Sequence, residues 1–135
     1  MKKNPFISLA NSLVLLRYSV AFIFLAHATI RVTDGTVERF GGFLNSKGFV
    51  YGTSIVWMIT AYELIGGVLL ALGYFTKWLS AGFMGIILMG IVIIHAEKGW
   101  FVGEHGDGGS EYSFILVMAL IVIAAAGKNA AIAEK

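Results

Sequence analysis

Four apolar runs dominate this chain, and they constrain its fold more than any motif in it. They cover about residues 9–30, 53–75, 78–96 and 112–126. A helix needs about 20 mostly apolar residues to cross a bilayer, because each residue rises about 1.5 Å and the hydrocarbon is about 30 Å thick. The first three runs meet that length; the fourth is short and would borrow from the loop before it. The expectation is an all-α integral membrane protein: a four-transmembrane-helix antiparallel bundle, one domain over residues 1–135, without internal repeats. The first run does not suit a signal peptide, since its apolar part is too long and Arg17 interrupts it. It is read as a retained helix.

Composition agrees. Hydrophobic residues make up 58% and charged residues 13%, where soluble domains carry roughly a quarter charged residues. Mean hydropathy is +0.82. These values disfavour a water-soluble globule and a disordered tail. The net charge is only +2, and no Lys/Arg cluster exceeds two residues, so no nucleic-acid partner is expected. There are no cysteines, which removes thiol redox chemistry, zinc–thiolate sites and iron–sulfur ligation by this chain alone.

Four spans put both termini on one side, together with Lys2, Lys3, Lys77, Lys128 and Lys135; the other side carries Arg31, Arg39, Lys47 and Lys98. Five basic residues against four, with two lysines directly before the first span, favour cytoplasmic termini in a bacterial inner membrane. Residues 31–52 place Val37, Phe40, Phe43 and Leu44 at helical spacing, with Thr36 as a cap and Gly48 as a stop. A short amphipathic helix on the outer membrane surface is expected there. Residues 75–77 allow only a tight turn. The link from Glu97 to Ser110 holds five glycines, and Ser110 is placed to cap the fourth helix. Trp57, Trp78 and Trp100 fall near span ends, where indoles anchor.

Charges inside a span are costly and turn inward toward partners. Glu63 shares a helix face with Gly66, Gly67 and Leu70, and small residues mark close helix contacts. Ala81, Gly82 and Gly85 make a similar patch in the third span. Measured from assumed outer boundaries at Ile30 and Thr53, Arg17 and Glu63 differ in depth by about 5 Å, so a buried Arg17–Glu63 ion pair is the simplest expectation. That pair would pin two helices together, or its carboxylate would carry protons or hold a polar ligand group. A second group, His27, His95 and Glu111, reaches the outer leaflet, with Arg31 one turn beyond His27. His105 and Asp107 read as solvated loop residues. Two histidines at one depth resemble bis-imidazole haem ligation, but no spacing motif supports haem or a metal. Nor does any spacing support a quinone or lipid slot lined by Phe22, Phe24 or Tyr62.

The order of these features resembles the DoxX family of small four-helix bacterial membrane proteins, over nearly the whole chain. The likeness rests on Arg17 and the run His27-Ala28-Thr29-Ile30-Arg31, on Lys47-Gly48-Phe49, on Glu63-Leu64-Ile65-Gly66-Gly67, on Thr76-Lys77, on His95, and on Gly108-Gly109-Ser110-Glu111-Tyr112. Ala28 and Arg31 depart from an expected glycine and lysine. The resemblance implies association with membrane redox complexes, including a thiosulfate:quinone oxidoreductase and an oxidant-defence assembly. It also marks Arg17, His27, Glu63, His95 and Glu111 as recurrent polar positions.

The leading expectation is therefore a quinone-contacting or anchoring subunit of a membrane oxidoreductase complex, with quinone as the cofactor. Other membrane or redox subunits, or further copies of the chain, are its expected partners. Quinone reduction consumes protons with electrons, which suits buried carboxylates and histidines; the electrons must come from a partner or bound cofactor. A non-enzymatic scaffold, or a small carrier for a lipid or polar metabolite, are the alternatives.

Overall fold

The computed structural model describes residues 7–102 and 108–127. Among these residues are five α-helices in chain order: α1 (Leu9–Thr33), α2 (Val37–Ser46), α3 (Gly52–Leu72), α4 (Thr76–Gly90) and α5 (Glu111–Ala126). α4 continues through a π-helical turn, Ile91–His95, and a 3-10 turn, Ala96–Lys98. Among the described residues there are no strands. Residues 2, 3, 128, 134 and 135 of the topology count, and Glu104, His105 and Asp107, lie outside the described residues.

Among the described residues three segments are long and apolar enough to cross a membrane, Leu9–Thr33, Gly52–Leu72 and Thr76–Lys98; the apolar α5 is shorter. Their outward faces carry large apolar side chains, including Leu15, Phe22, Ile65, Trp78, Val92 and Ile115, all exposed. A helix apolar on every side belongs in a large core or in lipid. In a chain this small, lipid is the fitting solvent.

The four longer helices form a ring: α1 packs on α3 and α5, and α4 packs on α3 and α5. Phe83 of α4 fills the centre, fully buried, stacked on Phe24 of α1 at 4.0 Å between ring centroids. Tyr62 of α3 meets the same ring edge-on and donates to the Leu79 carbonyl at 3.0 Å. Phe24 and Tyr62 are thus packing residues, and Phe22 faces outward. The α3–α4 turn is as tight as the sequence demands. Gly73 adopts φ 81°, and the Gly73 and Tyr74 amides donate to the Leu70 and Leu69 carbonyls, closing α3 with a left-handed cap.

α2 departs from the expectation in one respect. It does not merely lie alongside the bundle but docks on the first turns of α3, burying Val37 and Leu44 with Val56. Glycines permit the approach: a side chain on Gly41 would overlap Thr53, and one on Gly52 would overlap the Gly41 carbonyl. Asn45 Oδ1 accepts from the Gly52 amide at 2.8 Å and fixes the contact.

Candidate functional site

Glu63 lies on the α3 face expected for it. It is buried, as are Gly66, Gly67 and Leu70. Gly67 meets Leu25 of α1, and Gly66 meets Phe83 and Leu79 of α4, so this face is a seam on both sides. Its partner, however, is Arg31 and not Arg17. Arg31 Nη1 donates to Glu63 Oε2 at 2.6 Å and to Thr60 Oγ1 at 2.9 Å, and Thr60 donates its own hydroxyl proton to the Val56 carbonyl at 2.7 Å. The guanidinium also sits 5.7 Å from the Phe40 ring centroid, a cation–π distance.

The reason for the exchange of arginines is register. α1 and α3 run antiparallel with Leu25 on Gly67 and Arg31 on Thr60, while a Cβ built on Gly73 would stand 3.0 Å from Arg17 Nη1. Levelling Ile30 with Thr53 therefore errs by about two helical turns, or about 10 Å. The first turns of α3 rise beyond the end of α1 and pack against α2 instead. Arg17 instead lies at the α3 C-terminus, where cations are favoured by unsatisfied carbonyls; its Nε is buried without a hydrogen-bond partner among the described residues.

Around the Arg31–Glu63 pair the helices leave space. A chamber of about 420 Å³ lies between α2, α3 and α4, walled by apolar side chains such as Phe40, Leu44, Phe49, Ile59 and Met89, with Arg31 and Glu63 as its ionised lining. Gly82 and Gly85 line it too. The patch expected to be a helix seam is thus partly a void: Gly85 has no neighbour within 4 Å of where a side chain would begin, while Gly82 lies under Tyr62. Beyond Gly90 the π turn inserts an additional residue into α4 and rotates the last turns of the segment by about 100°. Ile93 and Ile94 then line the chamber and His95 lines its neighbour.

That neighbour is a hollow of about 170 Å³, lined by His27, Glu63, His95 and Ser113 among apolar residues. His95 Nδ1 is buried without a hydrogen-bond partner among the described residues. Three of the expected polar residues, His27, Glu63 and His95, therefore meet around one small space. No group of three or more His, Asp or Glu among the described residues is arranged to hold a metal ion. A third hollow, about 570 Å³ and more open, lies beside α2 and is lined by His27, Arg31, Arg39 and Lys98 above Phe40, Phe43 and Ile94.

Glu111 stands apart. Its Oε1 accepts from the Val102 amide at 3.1 Å, and the Ser110 and Glu111 amides donate to the Gly99 and Trp100 carbonyls. Ser110 does sit at the N-cap of α5, but its hydroxyl meets the Gly99 carbonyl at 3.5 Å and makes no cap bond. Glu111 fastens the start of α5 to the segment that follows the 3-10 turn. The residue that sequence reasoning undervalued is Arg31, visible only as one turn beyond His27.

Long lipid-suited helices with a buried ion pair facing an apolar chamber define a small multi-pass helical membrane protein. The chain belongs to the DoxX family, whose profile matches residues 12–96. It is also 29% identical over 118 residues to CatD of Bacillus subtilis (strain 168), a protein named as an oxidoreductase on a provisional basis; the match covers 86% of this chain and 79% of that one. No solved structure matches it.

Proposed function

We propose that this chain is a four-span subunit of a bacterial inner-membrane oxidoreductase complex, with both termini cytoplasmic, and that it binds a quinone in the chamber between α2, α3 and α4. The observation that carries the reading is the Arg31–Glu63 pair set in the wall of an otherwise apolar space. A quinone has an apolar ring and tail and two carbonyl acceptors. Arg31 spends both Nη1 protons on Thr60 and Glu63, and a guanidinium has three more N–H donors to offer a carbonyl oxygen.

Reduction to the quinol takes two electrons and two protons. A redox partner subunit or its bound cofactor supplies the electrons. Glu63 borders both the chamber and the hollow that holds His27 and His95, so these three groups form the proton route to the quinone. The provisional oxidoreductase name of CatD supports the same reading.

Equilibrium binding of decyl-ubiquinone and a menaquinone analogue to the purified protein tests it. Saturable binding that weakens at least tenfold in Arg31→Gln is expected. Failure of the native protein to bind either analogue would refute the proposal.

A further inference from the structure

The third hollow has a chemistry of its own. Arg39 projects from α2 and Lys98 from the 3-10 turn that ends the α4 segment, and both line it. Neither has an ion-pair partner among the described residues. Arg31 also lines it, but its charge is committed to Glu63. The nearest acid on the same turn, Glu97, is likewise committed, to Lys47 at 2.8 Å. None of the described residues lining the hollow is acidic. Two cations without an ion-pair partner among the described residues thus face one space, and the exposed Lys47–Glu97 bridge links the C-terminal end of α2 to the turn.

The floor beneath these cations is apolar: Phe40, Phe43 and Ile94, with Ile30 at the edge, 57% exposed on the outer face of α1. The hollow therefore opens toward the lipid-facing surface and lies at the helix ends, where headgroups reside. We infer that this hollow is a binding site for one anionic phospholipid of the phosphatidylglycerol class, its phosphodiester between Arg39 and Lys98 and its glycerol and upper acyl carbons over Phe40, Phe43 and Ile94. A soluble anion gains nothing from that floor, and a zwitterionic lipid brings its own cation to a cationic mouth. The site shares Phe40, Arg31 and Ile94 with the chamber, so the lipid sits beside the chamber's entrance. The inference does not need a quinone to occupy that chamber.

The test is native mass spectrometry of the full chain released from vesicles of equal phosphatidylglycerol and phosphatidylcholine. Each basic residue near an anionic lipid surface contributes about fivefold, so the wild type should retain one phosphatidylglycerol with about 30-fold preference over phosphatidylcholine. The double variant Arg39→Gln/Lys98→Gln should lose that preference, while Arg39→Lys, which keeps the charge, should hold it. Equal retention of the two lipids by the wild type would overturn the inference, as would an unchanged preference in the double variant. Displacement of the lipid by inorganic phosphate at millimolar concentration would make this a soluble-anion site and overturn it too. Decyl-ubiquinone binding measured on the same samples separates the two readings, because neither Arg39 nor Lys98 lines the chamber.

Discussion

The exchange of Arg17 for Arg31 as the partner of Glu63 makes a quantitative prediction. The pair is in contact at 2.6 Å, with side-chain exposures of 14% for Arg31 and 5% for Glu63. At an effective dielectric of about 20, unit charges about 4 Å apart attract by about 4 kcal/mol. Removing one partner of a buried pair costs about 3–5 kcal/mol, mostly because the other charge is left stranded, whereas removing both costs much less than the sum. Glu63→Gln and Arg31→Gln should therefore each destabilise the protein by about 3 kcal/mol, and the double variant by little more than either, a coupling of about 3 kcal/mol. The same cycle with Arg17→Gln should be additive within about 0.5 kcal/mol. Arg17 packs at Gly73, ten residues or about 15 Å along α3 from Glu63. Unfolding in mixed micelles, followed by circular dichroism, reads both cycles. Coupling between residues 17 and 63 that equals or exceeds that between 31 and 63 would refute the register and with it the description of the site.

Substitutions at two further positions probe the packing of α2 and the start of α5. Gly52→Ala drives a methyl group into the Gly41 carbonyl and should cost about 1–3 kcal/mol by overpacking. Because α2 forms one wall of the chamber, hydrogen exchange should also quicken across residues 37–46; unchanged protection there would contradict the close α2–α3 contact. Glu111→Gln keeps an acceptor for the Val102 amide and should leave stability and quinone binding near wild type, whereas Glu111→Ala should cost about 1–2 kcal/mol by orphaning that amide. Thermal unfolding of the two variants side by side checks this, and equal losses would show that the charge, not the hydrogen bond, matters.

The helices and the inwardness of one charge were legible in the order of residues. The runs at about 9–30, 53–75 and 112–126 correspond to helices at Leu9–Thr33, Gly52–Leu72 and Glu111–Ala126, because hydropathy and helix stops act locally. Glu63 had to face a seam, since a carboxylate among acyl chains is costly and the glycines one turn on mark where a neighbour approaches. Which arginine answers it is settled only by how the helices assemble. That choice depends on how far α3 rises past the end of α1 to meet α2 through Gly41 and Gly52, a contact between residues with no side chains to announce it. The same holds for the chamber. Gly82 and Gly85 read as a packing patch on one helix, and only the assembly of α2, α3 and α4 leaves part of that patch facing a void. Local energetics fix each helix; space between helices is a property of all of them together.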